Sequence, residues 1–126
     1  MRLILVRHAK AAPGDPDELR PLTDEGREQA RALGSELRAR GLAADAVLTS
    51  PLLRGRETAA ALGLGEPQID DRLAPGASPE QIREAATGRG DVVVVVGHQP
   101  DCGDAVLALT GREVSFPPSG YHELEL

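Results

Sequence analysis

Val92-Val93-Val94-Val95-Val96-Gly97-His98 is the stretch of sequence that decides the fold. Five consecutive valines predict a central strand of a parallel sheet, because such a strand is buried on both faces and does not alternate apolar and polar residues. Leu3-Ile4-Leu5-Val6-Arg7-His8 repeats the pattern near the N-terminus. Each run places a histidine just beyond the C-terminal end of a strand, which is the edge where open α/β sheets bind ligands.

The rest of the chain alternates between strand and helix signals. Besides the two valine- and leucine-rich strands (91–96 and 3–6), we predict strands at 45–49, 67–70, 112–116 and 121–126. We predict helices at 23–41, 50–62, 78–88 and 100–110, opened by Thr23, by Ser50 as N-cap with Pro51 in the first helical position, and by Ser78 with a capping-box Gln81. Residues 9–21 read as a loop. This alternation predicts one α/β domain over residues 1–126 with a largely parallel sheet.

Composition narrows the class of function. The chain has one Phe, one Tyr and no Trp, so its core must be built from Val, Leu, Ile and Ala. The formal charge of −6 argues against a nucleic-acid partner, which needs a basic face. A single phosphoryl group needs only a local positive site, and the charge does not argue against that.

Cysteine content and hydropathy bear on location. The single Cys102 cannot form an intramolecular disulfide, which fits a reducing compartment, and we expect it to be a buried helix residue and not a nucleophile. No apolar run is long enough to span a membrane or to form a signal peptide. We therefore expect a cytoplasmic protein without a membrane partner, and nothing in the sequence demands more than a monomer.

Four side chains follow predicted strand ends and form the candidate site. Arg7 and His8 end the first strand, and His98 precedes a helix whose free N–H groups can bind an anion. Arg54 lies one turn into the helix after Ser50, and helical side chains lean toward the N-terminus, so it can reach the same edge. Two histidines and two arginines at one edge predict phosphate chemistry.

Three motifs in order resemble the histidine phosphatase superfamily. They are Arg7-His8 after the first strand, Ser50-Pro51-x-x-Arg54-x-x-x-Thr58 after the second, and Gly97-His98 after the valine strand. The small size and two further stretches are similar to its short SixA-like branch of phosphohistidine phosphatases: Arg7-His8-Ala9-Lys10-Ala11 and Arg20-Pro21-Leu22-Thr23. The similarity covers nearly the whole chain.

The resemblance implies a fold and a chemistry. The fold is a minimal, phosphoglycerate-mutase-like three-layer α/β/α sandwich. His8 is the nucleophile, which forms a phosphohistidine intermediate, and Arg7 and Arg54 clamp the phosphoryl oxygens. His98 donates a further hydrogen bond, best as an imidazolium. Arg20 is a candidate ligand of the phosphoryl group, with a loop salt bridge as the alternative. No cofactor or metal is required.

The sequence leaves the proton donor open. Relatives that cleave phosphate esters carry a carboxylic acid for the leaving oxygen. The candidates here are Asp70, Asp71 and the loop residues Asp15, Asp17 and Glu18. The alternative for Asp70 and Asp71 is that they are ordinary turn residues. A chain without such an acid favours cleavage of a P–N bond, because a phosphohistidine leaving group needs less help.

Three functions follow, in order of preference. The favoured one is dephosphorylation of phosphohistidine in a partner protein, because the short gaps between the motifs predict an open site. The alternatives are a small phosphomonoesterase that uses one of the carboxyl groups, and a non-catalytic module that binds phosphoproteins.

Overall fold

The computed structural model describes residues 1–126, which form five strands and four α-helices. The strands are β1 (Arg2–Arg7), β2 (Ala46–Thr49), β3 (Pro67–Ile69), β4 (Val92–Gly97) and β5 (Tyr121–Glu125). The helices are α1 (Asp24–Ala39), α2 (Leu53–Leu62), α3 (Pro79–Ala86) and α4 (Asp101–Thr110). Two short 3₁₀ turns, Asp17–Leu19 and Asp71–Leu73, lie in the connecting loops.

The five strands form one sheet in the order β3-β2-β4-β1-β5. Every neighbouring pair is parallel except β1 with β5, so the predicted largely parallel sheet is confirmed. The valine strand β4 lies at the centre, as its composition predicts. Arg7 is in register with Gly97, and this pairing brings the residues that follow β1 and β4, His8 and His98, to the same edge of the sheet.

Helices cover both faces of the sheet, which confirms the three-layer sandwich. Alternate residues of each central strand point to opposite faces, as strand geometry requires. One face packs against α1 and α2 through a core that includes Ile4, Val94 and Leu33. The other face packs against α3 and α4 through Leu5, Val95 and Val106. None of the four helices combines the length and the apolarity that crossing a bilayer would require.

The crossing of α1 and α2 depends on a glycine. A Cβ placed on Gly34 of α1 would lie 1.9 Å from the carbonyl oxygen of Leu62 in α2, so no larger residue fits without separating the helices. The neighbouring Arg38 donates to the same Leu62 oxygen over 2.7 Å. This close contact fixes the position of α2 on the sheet, and with it the position of Arg54.

Two predicted helix starts are confirmed and one is wrong. Thr23 caps α1 by accepting from the N–H of Gly26, and Ser78 with Gln81 forms the predicted capping box of α3. Helix α2 begins at Leu53 with Leu52 as its N-cap residue, and not after Ser50 and Pro51. The hydroxyl of Ser50 accepts from the N–H of Leu52 and also contacts His98. It therefore bonds to residues that precede or lie outside α2 and does not cap this helix.

The strand predicted at 112–116 does not form. The only strand paired with β1 on its outer side is β5, and this segment has no backbone ladder of its own. Side chains hold it instead: Arg7 donates to the carbonyl of Phe116, and the ring of His122 lies 3.0 Å from the carbonyl of Ser115. Phe116, at the end of this segment, is buried.

Cys102 is buried in α4, as expected, and its sulfur lies 3.9 Å from the carbonyl oxygen of Val6. Burial raises the pKa of its thiol to about 12. A thiol that is protonated at neutral pH is not a nucleophile, so Cys102 serves the core.

Candidate active site

His8 lies immediately after β1 with its ring in a defined tautomer. Its Nδ1 is 2.7 Å from the carbonyl oxygen of Ala9. A carbonyl oxygen only accepts, so Nδ1 must carry the proton and Nε2 keeps a free lone pair. The backbone of His8 is held on both sides, by its N–H to Gly97 and by its carbonyl to the N–H of Ser119. The residue is therefore positioned to attack through Nε2.

The surroundings of His8 keep its imidazole neutral. Burial is the largest effect that lowers the pKa of His8 below its usual value of 6.5. The bond to Ala9 opposes this shift, while the positive charges of Arg54, Arg7 and Arg20 add to it. A neutral imidazole beside three cations is suited to attack on an anionic group, because the cations attract the substrate and suppress protonation of the nucleophile.

His98 lies beside His8, with the two ring centroids 5.2 Å apart. Its Nε2 is 2.7 Å from the Oγ of Ser50, and both side chains are buried. Burial, followed by the nearby His8 and Arg54, lowers the pKa of His98 to about 4. In the protein without a bound anion, this low pKa favours the neutral imidazole; the expectation that His98 donates to a bound phosphoryl group as an imidazolium stays a prediction.

Arg54 is in the first turn of α2, and its side chain is only 8% exposed. Thr58 ties this turn to the end of β1, because its hydroxyl donates to the carbonyl of Arg54 at 2.8 Å and accepts from the N–H of Ala9 at 2.9 Å. Thr58 joins the segments that carry His8 and Arg54, which are far apart in sequence.

Asp17 contacts both Arg54 and Arg20. Its Oδ2 lies 3.1 Å from Nη2 of Arg54, and its Oδ1 lies 3.1 Å from Nη1 of Arg20. Its backbone carbonyl accepts from Nη1 of Arg54 at 2.9 Å. Hydrogen bonds from Arg20 and then Arg54 lower the pKa of Asp17, so the carboxylate is ionised at neutral pH. Arg20 thus makes the loop salt bridge that was its alternative role, at the edge of the site.

Arg7 is the one arginine of the group without a carboxylate partner. Its Nη1 donates to the carbonyl of Phe116 at 2.9 Å, and its buried Nε has no partner in the chain. Its backbone N–H bonds to the carbonyl of Gly120, so the turn before β5 supports both Arg7 and His8. Arg7 therefore offers an uncompensated positive charge and an unused donor next to His8.

The predicted proton donors Asp70 and Asp71 lie after β3, at the far edge of the sheet. Arg72 holds the carboxylate of Asp70 through two bonds, of 3.0 and 2.7 Å, and Arg89 lies 3.7 Å away. The bond with Arg72 lowers the pKa of Asp70, which fixes it as an ionised group. Asp71 is exposed in the 3₁₀ turn that follows. The structure gives Asp70 a role in anchoring this turn and brings neither aspartate to the histidines.

Two contacts of the site were missed by the sequence analysis. Ser50 was assigned to a helix cap, although it bonds to His98. The bridge that Asp17 forms between two arginines was not predicted either. The only available signal for Ser50 was its place at the start of the Ser50-to-Thr58 motif. Nothing in the local pattern around Asp17 indicated its partners.

Comparisons with known proteins agree with this geometry. The family model of the histidine phosphatase superfamily (branch 1) matches residues 3–77. An uncharacterized protein of Picosynechococcus sp. is 35% identical over 97% of this chain and 78% of its own length. The chain therefore belongs to the histidine phosphatase superfamily.

Solved structures narrow the resemblance within that family. The structure of the protein histidine phosphatase SixA complexed with tungstate matches all of this chain and 88% of its own, with a TM-score of 0.89 and 25% identity. The putative phosphohistidine phosphatase SixA from Agrobacterium tumefaciens matches 98% of this chain and 91% of its own, with a TM-score of 0.86 and 29% identity. The protein is a SixA-like member of the superfamily with the phosphoglycerate-mutase-like fold.

Proposed function

We propose that this protein is a phosphohistidine phosphatase that removes the phosphoryl group from a histidine of a partner protein. His8 is the nucleophile, Arg7 and Arg54 hold the phosphoryl oxygens with Arg20 beside them, and His98 donates a further hydrogen bond. The observation that carries the proposal is the hydrogen bond of 2.7 Å from Nδ1 of His8 to the Ala9 carbonyl, since it leaves Nε2 unprotonated among arginines.

The reaction proceeds in two transfers of the same group. In the first, Nε2 of His8 attacks phosphorus while the P–N bond of the substrate breaks, and the departing imidazole leaves neutral because its other nitrogen already carries a proton. In the second, water attacks the phosphorylated His8, the electrons of the Nε2–P bond return to Nε2, and both hydrogens of the water leave with phosphate. Arginines stabilise the charge on the three equatorial oxygens in both steps, so no metal ion is needed.

Two features support a phosphohistidine substrate. Asp70 is ionised in its bonds to Arg72, and Asp17 is ionised in its bonds to Arg20 and Arg54, so neither of these two candidate acids supplies a proton to an alkoxide leaving group. The short gaps between the motifs also predict an open site, and none of the surface cavities of the protein has His8 in its lining. An open edge accepts a phosphoryl group that projects from another protein.

Three substrates test the proposal: a phosphohistidine-containing protein, phosphoserine and p-nitrophenyl phosphate. Phosphohistidine needs no acid, p-nitrophenolate is a good leaving group, and the serine alkoxide needs a proton. We expect kcat/KM for phosphohistidine to exceed that for phosphoserine by at least about a hundredfold. This ratio is the lower end of the rate enhancement that a general acid typically provides. Equal rates with phosphoserine would favour the phosphomonoesterase alternative. Tight binding without turnover of any substrate would favour a phosphoprotein-binding module.

We further propose that the protein acts as a monomer in the cytoplasm, where the solitary Cys102 stays reduced. Sedimentation equilibrium at micromolar concentration checks the oligomeric state. Fractionation of cells that express the protein checks the compartment.

A further inference from the structure

The side chain of Asp17 occupies arginine donors that the proposed phosphoryl transfer needs. The carboxylate of Asp17 bridges Arg54 and Arg20, and the Asp17 carbonyl takes another N–H of Arg54. Both terminal nitrogens of the Arg54 guanidinium therefore donate to Asp17 in the free protein. These are the donors that the proposed function assigns to phosphoryl oxygens.

The contrast in exposure explains why Asp17 lies there. The Arg54 side chain is 8% exposed, whereas the Asp17 side chain is 62% exposed. A buried guanidinium without a counter-charge is costly, and Asp17 is the only carboxylate that pairs with Arg54. Asp17 sits on a short 3₁₀ turn in the loop between β1 and α1, and none of the residues of that turn is buried. The counter-charge of a buried arginine thus comes from an exposed surface loop.

A phosphoryl group and Asp17 compete for the same donors. Each N–H proton that points at a carboxylate or carbonyl oxygen is lost to a phosphate oxygen, and an ionised carboxylate next to a phosphoryl dianion is repelled. Each terminal nitrogen of Arg54 has a second N–H that phosphate can reach, but the Asp17 carboxylate weakens phosphate binding until Asp17 moves away from Arg54. Because the loop turn has no buried side chain, that movement disrupts little packing.

We propose that Asp17 is an internal competitor for the oxyanion site, which occupies the arginines of the free enzyme and helps to expel the phosphate product. The inference rests on the proposed function, since it takes Arg54 as a phosphoryl ligand. It assigns to Asp17 a role opposite to that of a proton donor. An acid has to be protonated when substrate arrives, whereas the competitor works only as a carboxylate.

The test is the affinity for inorganic phosphate, measured by titration calorimetry on wild type, Asp17→Asn and the matched control Glu18→Gln. Glu18 is the exposed neighbour in the same turn and makes no hydrogen bond to either arginine. We expect Asp17→Asn to bind phosphate about tenfold more tightly, equivalent to about 1.4 kcal/mol. Its inhibition constant for phosphate falls by the same factor, and kcat falls with KM because product leaves more slowly. Glu18→Gln should match wild type.

Unchanged or weaker phosphate binding in Asp17→Asn would overturn the inference, since it would mean that Asp17 only holds Arg54 in place. Asp17→Ala provides a second variant that removes the carboxylate and should show the same gain. A separate result would contradict the proposed function itself: phosphate affinity that does not change in Arg54→Ala. The two failures are therefore distinguishable.

Discussion

The Oγ of Ser50 lies 2.7 Å from Nε2 of His98, and both residues are buried. The same oxygen accepts from the N–H of Leu52 at 3.2 Å. One hydroxyl therefore connects the end of β2, the start of α2 and a histidine that follows β4. A Cβ on Gly55 would approach this oxygen to 3.0 Å, so the glycine leaves room for the contact. Ser50 orients His98, and we expect its loss to affect both the fold and the chemistry.

Replacement of Ser50 by Ala should lower the free energy of unfolding by about 1–3 kcal/mol, because two buried polar groups lose their partner. It should also lower kcat by about tenfold, because His98 is no longer held against the transferring group. Urea denaturation and phosphohistidine turnover measure the two effects. Ser78→Ala is the control: it removes the cap of α3, costs about 1 kcal/mol, and should leave kcat unchanged. Equal kcat in the two variants would show that the contact with His98 is irrelevant to turnover.

Replacement of Arg54 by Ala should reduce kcat/KM by about 10²–10³, the usual cost of removing one donor to developing charge. The guanidinium of Arg54 is buried beside His8 and meets a carboxylate in the free protein, so it is positioned for an anion. Arg56→Ala, two residues along the same helix, has no ion pair to lose and serves as the control. A loss of similar size in Arg56→Ala would contradict the assignment, and circular dichroism shows whether either variant is unfolded.

The pH dependence of kcat/KM should report a nucleophile with a depressed pKa. In the proposed mechanism His8 attacks as the neutral imidazole, and its pKa in the folded protein is lower than 6.5. Activity should therefore fall as the pH is lowered, with a midpoint below 6.5 where His8 becomes protonated. Because kcat/KM follows the free enzyme and the free substrate, the pKa of the substrate phosphoryl group is measured separately and its contribution is removed from the profile. Nitrogen NMR of His8 should show the proton on Nδ1 over the plateau. A midpoint above 6.5 would contradict the electrostatic account.

The arrangement of the central strands was largely predictable from local sequence patterns. The run of five valines identified the central strand β4, and the parallel order then placed Arg7, His8 and His98 at one edge. The prediction of a strand at 112–116 was wrong, because this segment forms no strand. Such a segment becomes a strand only if a neighbouring strand has an unpaired edge. The outer edge of β1 is already paired with β5.

Local sequence patterns did not predict which side chains contact each other in the site. Ser50 precedes a helix and a proline, which is how a helix cap looks in a sequence, yet its partner is a histidine 48 residues away. The low pKa of His98 in the free protein could not be predicted for a related reason. Its pKa depends on burial and on neighbouring cations, and both are properties of the assembled fold. Asp70 was likewise predicted as a candidate acid, because the sequence does not show that Arg72 and Arg89 pair with its carboxylate.

The central claim is that His8 carries the phosphoryl group, and labelling with a small P–N donor such as phosphoramidate tests it most directly. Intact mass spectrometry should show one added phosphoryl group that is lost in acid, located on His8 by fragmentation. The label should be absent from His8→Ala and present in His122→Asn, which removes a histidine of β5 outside the site. A label of equal amount in His8→Ala, with both variants folded, would contradict the account.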